Sequence, residues 1–520
     1  MTVGLWASST VSLAQESLKS SSGHSVVSPP SINWGADHFD LCQRSNPFAL
    51  SEEDLQVAIR RGAEYADLNP SPHSLATPVD LFAKIHAVTA TDPASFFGRI
   101  AGLQRHPTEI GFIGGRSIMI PVGNRGETTR AFKISCYACH SNNLFGRQIV
   151  GATNKTLGVT STLLATKKLL SSMDRKGAES LSEREQIVFA KYHSRVTELS
   201  MPPEIPVGFD TTVLNAFVAN AKNRGAASSE VDQLSALVKP VPWWQSRFKS
   251  RWLVDGLFSN DTPVLLNFIG NEISFNSDLQ ATSDWLLENK DVLRALTTLV
   301  FNTEAPKYED FLQFSVNELS AAHRGELLFE ENCSSCHGHY PRKWQFEGDA
   351  IVGFERQSVD YPQPTVGCDV GTDRQRLLAA KVAEKYPPKD IPILDQSLSK
   401  IESIGEYIPP PLVGVWASWP YLHNGSVPTL RDLFEPSDKR PKQFYVGPSV
   451  SEKTDFDRNK NGFPVPPPRK WRSKSSLYDT SVRGQSNQGH DIGIFIDEAT
   501  GQPKFTDKQK NDLLNYLKTL

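Results

Sequence analysis

This chain of 520 residues has only four methionines, no excess of basic charge and no long apolar run. Its 55 Lys and Arg stand against 58 Asp and Glu, so the net charge is −3 and there is no basic excess for binding nucleic acid. No uninterrupted apolar run reaches the about 20 residues that cross a bilayer, which predicts that the protein is not an integral membrane protein. The length suffices for roughly two to four domains whose cores need no disulfide bonds.

Four of the six cysteines fall in two copies of the motif C-x-x-C-H. The copies are Cys136, Cys139 and His140, and Cys333, Cys336 and His337. Two thiols on one helical turn can bond to the two vinyl groups of a haem, and the next imidazole then reaches the iron from the same side. A zinc ribbon pairs C-x-x-C motifs far closer than 333 − 136 = 197 residues and needs no histidine after each. The motifs therefore predict two covalently bound haem c groups.

Covalent haem attachment normally takes place outside the bacterial inner membrane, so we expect an exported protein, either periplasmic or secreted. Residues 3–13 are small and mostly apolar, and residues 12–14 form a small-x-small pattern, but no Lys or Arg precedes them. Residues 1–29 are therefore either a truncated signal peptide or a disordered, Ser-rich leader.

We predict a mainly α fold with two cytochrome c-like haem domains, long irregular loops and an N-terminal extension. The extension covers residues 30–104 and includes a helix at 51–65. The first haem domain covers residues 105–320. Its expected helices lie at residues 161–172, 182–199 and 283–301.

The second haem domain covers residues 321–520. Gly325 and Phe329 stand four residues apart before its motif, as in a helix with one packed face. Residues 506–520 form a capped amphipathic helix. Because the helix before the motif resembles the first helix of a class I cytochrome c, the resemblance implies that these two helices pack together. Proline-rich and Ser/Gly/Asn-rich stretches between them predict the loops.

The axial ligand of the second haem cannot be the methionine of an ordinary electron carrier, because no methionine follows residue 201. Three histidines remain after the motif: His339, His423 and His490. His339 is too near the motif to reach the opposite face of the haem. We favour His490 over His423, because His490 lies in the loop before the last helix; an exposed loop histidine is the alternative. A second haem with two histidines is six-coordinate and carries electrons.

The first haem has no such ligand nearby, because residues 141–170 contain neither His nor Met. The remaining candidates have no flanking pattern that marks a ligand and are better explained as core or surface residues: His106, Met119, Met173, His193 and Met201. The sequence therefore predicts an open sixth position on the first haem, where dioxygen or hydrogen peroxide would bind.

Together these features resemble the bacterial di-haem cytochrome c peroxidase superfamily, and within it the rubber oxygenase branch, which cleaves polyisoprene with dioxygen. The resemblance covers residues 105–520 and rests on the two haem motifs and on four further segments: Gly325-x-x-x-Phe329, Val370-Gly-Thr-Asp373, residues 420–430 and Ser486-Asn-Gln-Gly-His490. It implies an open haem in the first domain and a bis-histidine haem whose distal ligand matches His490. Peroxidases of the superfamily place a removable distal histidine shortly after the first motif. Here residues 151–156 contain no histidine, which counts against an ordinary peroxidase.

Oxygenases of this branch line their open haem with apolar and aromatic residues. By that resemblance Phe268 is the best match to a distal-pocket phenylalanine, and Trp252 lies near it; ordinary core packing is the alternative. We expect a haem-dependent dioxygenase that acts on an apolar unsaturated substrate, polyisoprene-like or fatty-acid-like. The alternatives are a peroxidase that reduces hydrogen peroxide with electrons from a small redox protein, and a non-enzymatic electron-transfer cytochrome.

Three remaining features are ambiguous in the sequence. Residues 455–462 begin like a calcium loop, but no glutamate stands at the twelfth position, so we favour a solvated turn over calcium binding. Cys42 and Cys368 either form a disulfide or remain buried thiols. Trp243 and Trp244 either relay electrons between the haems or pack in the core.

Overall fold

The structure is a computed structural model. It describes residues 45–71, 76–86, 112–122, 127–158, 181–197, 220–259, 263–274, 278–389, 400–473 and 476–520, with single residues or short runs between 103 and 218 and at 391 and 393. Residues 1–29, predicted to be the leader, and Cys42 lie outside the described residues.

Helices follow one another along most of the described ranges. In chain order α1 to α14 are Glu52–Leu68, Val79–His86, Cys136–Cys139, Glu183–Thr197, Ser228–Val231, Pro263–Ser274, Leu279–Glu288, Lys290–Asn302, Val316–Asn332, Ser334–His337, Gln375–Lys385, Leu430–Leu433, Glu452–Asp455 and Asp507–Lys518. Within the described ranges no helix combines the length and the hydropathy that a membrane crossing needs.

Local capping explains where several of these helices begin. The Ser51 side chain accepts a hydrogen bond from the Asp54 N–H and starts α1, close to the helix predicted at residues 51–65. A capping box of Thr506 and Gln509 starts α14, as the sequence pattern predicts. The helix predicted at residues 182–199 is α4, Glu183–Thr197.

The helix predicted at residues 283–301 is present but interrupted at one residue. The structure has two helices there, α7 and α8, which meet at Asn289. The backbone of Asn289 leaves the helical region at φ −116°, and its side-chain amide donates to the Trp285 carbonyl at 2.8 Å, so it closes α7. The sequence pattern does not reveal this break, because α8 is buried on all sides over residues 292–301 and apolar residues occur on both sides of Asn289.

The strands are short and pair antiparallel in small sheets. In chain order β1 to β12 are Ala76–Thr77, Gly115–Pro121, Thr128–Ile134, Ser141–Leu144, Arg147–Val150, Arg251–Trp252, Phe258–Ser259, Arg342–Glu347, Ala350–Arg356, Lys400–Ile401, Gln443–Tyr445 and Leu477–Asp479. Two three-stranded sheets have the orders β1-β3-β2 and β10-β7-β6, and three hairpins or pairs join β4 to β5, β8 to β9 and β11 to β12.

Two large apolar clusters form most of the described core. The first cluster takes its residues from α1, from residues 214–301 and from α11, so part of the predicted second domain packs with the first. The second cluster takes its residues mainly from residues 308–520 and includes the helices on either side of the second haem motif. Each haem motif therefore begins beside its own apolar core.

Helices α9 and α14 pack closely, as expected for the helices that flank the second motif. Gly325 makes this possible, because a Cβ at that position would lie 2.1 Å from the Asp512 carbonyl oxygen of α14. One turn later the Phe329 ring contacts the Tyr516 ring at a centroid distance of 5.3 Å. The contact places the start of the second haem motif at the end of a rigid helix pair.

Candidate haem sites

The first motif forms a single helical turn, α3. The His140 N–H donates to the Cys136 carbonyl at 3.0 Å, so the imidazole follows directly on the turn that carries both thiols. Asn154 fixes this turn from outside: its N–H donates to the Cys139 carbonyl at 3.0 Å and its side chain to the Ala138 carbonyl at 2.7 Å. The arrangement has the order of groups that covalent haem attachment requires.

The imidazole of His140 is buried against Trp243, with ring centroids 5.2 Å apart. Its Nδ1 has no hydrogen-bond partner of standard geometry among the described residues. Burial lowers the pKa of His140 to about 4, and an interaction with the backbone of Val241 opposes this only in part. The neutral imidazole is the form that binds a metal, so His140 is suited to hold the iron of a haem.

The second motif spans the end of α9 and the turn α10. The His337 N–H donates to the Cys333 carbonyl at 3.0 Å, and its Nδ1 lies 2.9 Å from the carbonyl oxygen of Pro410. Burial lowers the pKa of His337, while the bond to Pro410 opposes the shift. Because Nδ1 carries its proton toward Pro410, Nε2 is left as the ligand atom.

His490 lies opposite His337. The two ring centroids are 6.2 Å apart and the ring planes make an angle of 62°. Since a metal–imidazole bond is about 2 Å long and the ring centroid lies roughly 1 Å beyond the nitrogen, two histidines on one iron have centroids about 6 Å apart. The observed spacing therefore fits one iron between these two side chains. Burial, followed by the proximity of His337 and Arg440, lowers the pKa of His490 to about 3.

The backbone at His490 is held in an unusual conformation. His490 has φ +56° and Gly489 has φ +81°, and a Cβ on Gly489 would lie 2.4 Å from the backbone of Gly371. The His490 N–H donates to the Val370 carbonyl at 2.7 Å. The segment that precedes the last helix is thus fixed against residues 370–372.

Arg440 fixes the same loop from the other side. It is buried, and its guanidinium donates to the carbonyls of Asn487 at 2.6 Å and Gly489 at 2.8 Å. Further bonds reach the carbonyls of Leu433 and Glu435 at 3.1 and 2.9 Å. One side chain therefore ties the His490 loop to the segment after α12.

The two other histidines after the motif have different partners. The His423 ring stacks on Tyr407 at a centroid distance of 4.1 Å, and its Nε2 lies 3.0 Å from the Tyr407 hydroxyl. The Nδ1 of His339 lies 2.6 Å from a carboxylate oxygen of Glu330, and the side chain is exposed. The structure brings His490, and neither of these, beside His337.

Phe268 and Trp252 belong to the first apolar cluster. Phe268 on α6 is 9% exposed and Trp252 on β6 is 3% exposed. Cys136 and Tyr137 of the first motif pack against the same cluster. The structure therefore buries both predicted pocket residues in the cluster against which Cys136 and Tyr137 pack.

Trp243 and Trp244 lie between the two motifs. Trp243 contacts the His140 ring, and Trp244 donates from Nε1 to the Val413 carbonyl at 2.9 Å. Val413 is three residues after Pro410, which accepts the hydrogen bond of His337. Adjacent tryptophans thus touch the surroundings of both imidazoles.

The carboxylates of the acidic turn at residues 455–462 accept hydrogen bonds from nearby backbone N–H groups. Asp457 accepts from the N–H groups of Asn459 and Lys460 at 2.9 and 3.0 Å, and Asp455 accepts from those of Val450 and Ser451. Within the described ranges no group of three His, Cys, Asp or Glu side chains is placed to hold a metal ion. The geometry is that of a turn closed by its own side chains.

Cys368 lies beside the second motif, with its Sγ 3.2 Å from that of Cys336. Its backbone N–H donates to the Tyr407 carbonyl at 2.8 Å, which fixes residues 368 and 407 as neighbours. The sequence contains no signal for this proximity, because the two cysteines are 32 residues apart.

Sequence reasoning missed the residues that position the two imidazoles of the second motif. Pro410 belongs to a run of three prolines whose fixed backbone is a usable signal, although the sequence analysis predicts only a loop there. Arg440 resembles any other arginine in sequence, and only the fold reveals that it binds backbone carbonyls of the His490 loop.

Two curated proteins of Sinorhizobium fredii are similar to parts of this chain. The chain is 28% identical to the uncharacterized protein y4iM over 225 residues, which is 39% of this chain and 49% of y4iM. It is 37% identical to the uncharacterized protein y4iJ over 246 residues, which is 40% of each chain. The chain therefore spans less than half the length of the curated relatives it matches.

Residues 405–445 match a family model described as RoxA-like, cytochrome c-like. The matched segment contains Pro410, His423 and Arg440, and so includes the acceptor of the His337 hydrogen bond and the residue that holds the His490 loop. The match indicates that this segment is similar to RoxA-like cytochrome c domains, for which haem c is the cofactor.

Proposed function

We propose that this protein is an exported, di-haem c-type dioxygenase that cleaves or oxygenates an apolar unsaturated substrate at the haem held by His140. Two cytochrome c-like domains, residues 105–320 and 321–520, would each hold one haem. The observation that carries the proposal is the contrast between the motifs. The His337 ring lies 6.2 Å from a second imidazole, whereas among the described residues no second imidazole lies beside the His140 ring, which contacts Trp243.

The second site is suited to carrying electrons. Haem c, when bound, supplies a one-electron centre at this site and a centre that reacts with dioxygen at the other. His337 and His490 would hold the iron of this haem, and Pro410 and Arg440 keep each of them in place. An iron held by two histidines of the chain would leave no place for a substrate. Trp243 and Trp244 connect the surroundings of the two sites and support electron exchange between them.

The first site is suited to an apolar substrate. Phe268 and Trp252 lie in the cluster against which Cys136 packs, and their rings exclude water and present hydrocarbon surface. Neither side chain is a general acid or base at neutral pH. A peroxidase needs such a group to assist cleavage of the O–O bond, so these two residues favour an oxygenase.

Oxygen uptake by the purified two-haem protein tests the proposal. We expect uptake that depends on polyisoprene or an unsaturated fatty acid and needs no added reductant. The Cys136→Ala/Cys139→Ala variant, which cannot attach the first haem, should lose this activity. Peroxide turnover that depends on a reduced small cytochrome, without substrate-dependent oxygen uptake, would contradict the proposal and indicate a peroxidase. Cell fractionation tests the export, with the haem protein expected outside the cytoplasm.

A further inference from the structure

Two lysines reach the same short stretch of chain between the haem motifs. Lys155 is 3% exposed, and its Nζ donates to the Ala417 carbonyl at 3.2 Å and lies 3.4 Å from the centroid of the Trp419 ring. Lys239 is partly buried, and its Nζ donates to the Ser418 and Pro420 carbonyls, both at 2.6 Å. Both ammonium groups therefore lie against residues 417–420.

The backbones of both lysines belong to the surroundings of the first motif. Lys155 follows Asn154, whose hydrogen bonds hold the turn of that motif. Lys239 precedes Pro240, whose carbonyl accepts from the Thr153 hydroxyl at 2.5 Å, and Val241, whose backbone interacts with the His140 ring. The two segments are thus joined to each other and to the first haem site.

The positive charge of this pair is not compensated within the described part of the chain. Neither ammonium group has a carboxylate within ion-pair distance there, and the hydrogen bonds of both go to backbone carbonyls. An ammonium group has three N–H donors, so one bond for Lys155 and two for Lys239 leave three donors available.

Without a nearby anion, the surroundings of both lysines disfavour the charged form of the side chain. Burial, and then the proximity of Lys239, holds the pKa of Lys155 well below its usual value. Burial lowers the pKa of Lys239 to about 7. Charges removed from water are normally paired, because the burial of an unpaired ion is unfavourable. The site therefore has the chemistry of a receptor for a carboxylate.

We propose that Lys155 and Lys239 together bind a propionate carboxylate of the haem attached to Cys136 and Cys139. Haem c brings two propionates into an otherwise apolar site, and each needs a cation or several N–H donors. This inference rests on the proposed haem attachment. It goes beyond that proposal, because it gives the two lysines a role in setting the reduction potential of one haem. A propionate of the second haem is the other carboxylate that could bind the two lysines, because residues 417–420 follow closely after Pro410, which accepts the hydrogen bond of His337.

The test uses the two-haem protein and the variants Lys155→Leu and Lys239→Leu. Lys518→Leu is the matched control, because Lys518 is equally buried but pairs with Glu318 at 3.8 Å in the helix pair. Spectroelectrochemical titration gives the midpoint potential of each haem, and resonance Raman spectra give the propionate bending bands. We expect each variant to lower the potential of the first haem, because a lost cation favours the oxidised iron, and to shift its propionate band. The control should change neither.

Unchanged potentials and unchanged propionate bands in both variants would overturn the proposal and leave the lysines a structural role. A shift confined to the second haem would overturn the assignment to the first. If Lys155→Leu attaches less haem, Lys155→Arg is used instead and should have the wild-type reduction potential, because it keeps the charge. The proposal would be rejected if Lys155→Arg did not have that potential and Lys239→Leu left the potential unchanged. Haem content is measured first: a wild-type chain without two haems would contradict the proposed function itself.

Discussion

The imidazole rings of His337 and His490 lie with their centroids 6.2 Å apart, although the two residues are separated by more than 150 positions in the chain. One iron would fit between them; the His337 ring is held by its bond to the Pro410 carbonyl, and the His490 backbone by its bond to the Val370 carbonyl. This relationship distinguishes the second haem site from the first. It is the reason for assigning electron transfer to the second proposed haem and the reaction with dioxygen to the first.

Arg440 should control how firmly His490 is held. Arg440→Lys keeps the charge but cannot reach all the carbonyls that the guanidinium contacts, so we expect the second haem to become partly high-spin. Lost charge-assisted hydrogen bonds should also lower the free energy of unfolding by about 2 kcal/mol. Electron paramagnetic resonance and chemical denaturation measure the two effects.

Arg374→Lys is the control for this change. Arg374 lies near the same loop but is exposed and pairs with Asp369, so spin state and stability should stay the same. A destabilised Arg440→Lys variant whose second haem remains fully low-spin would show that Arg440 stabilises the fold without positioning His490.

Phe268 should matter for oxygen uptake more than for stability. Phe268→Leu retains an apolar side chain but changes the shape of the cluster, and we expect substrate-dependent uptake to fall about tenfold. Phe444→Leu, in the second cluster, provides a comparable loss of packing away from the first haem. Equal losses of oxygen uptake in the two variants would indicate general destabilisation rather than a role for Phe268 in the pocket.

Gly325 should be indispensable for the contact between α9 and α14. A Cβ in Gly325→Ala would lie 2.1 Å from the Asp512 carbonyl oxygen, so the helices must separate, at a cost of about 1–3 kcal/mol in the free energy of unfolding. Leu327→Ala on the exposed face of α9 should change stability by less than about 0.5 kcal/mol. Chemical denaturation compares the two; similar effects would show that this contact does not limit stability.

The ion pair of Arg324 with Asp512 should make stability depend on pH. Burial favours a raised pKa for Asp512, but hydrogen bonds from Arg324 and Lys508 outweigh it and hold the pKa below its usual value. A carboxyl with a lowered folded-state pKa stabilises the fold above its unfolded pKa of about 3.9, and this stabilisation disappears as the pH falls through the folded-state pKa. Because Arg324 is half exposed, the pair should contribute only about 1 kcal/mol at neutral pH.

Denaturation of Asp512→Asn and wild type across the acid range measures this dependence. The difference in stability between them should be largest at neutral pH and shrink below about pH 4. Asp507→Asn is the control, because that carboxylate is exposed and should contribute little at any pH. A difference that stays constant with pH would show that the charge of Asp512 is not what matters.

Local patterns in the sequence predicted the features that depend on a few neighbouring residues. The side chain of Ser51 and the capping box at Thr506 begin helices because they satisfy N–H groups within the same turn. The haem motifs likewise occupy one turn each, and their spacing is sufficient to recognise them. The break at Asn289 was missed because a single backbone angle, not a change of periodicity, creates it.

Features that depend on distant residues could not be predicted. Gly489 must be glycine because the backbone of Gly371 approaches it, and the two positions are far apart in the chain. Lys155 and Lys239 look like ordinary surface lysines until the fold brings both to residues 417–420. The choice of His490 over His423 was possible from its place before the last helix, but the contact of His423 with Tyr407 is visible only in three dimensions.

Carbon monoxide binding to the fully reduced protein tests the central claim most directly. The account predicts one carbon monoxide for every two haems in the wild-type chain, bound at the first haem, and two in His490→Ala, because that change opens the second iron. His423→Ala should bind one, like wild type. A wild-type protein that binds none would contradict the open first site, and His490→Ala that still binds only one would contradict His490 as the ligand of the second haem.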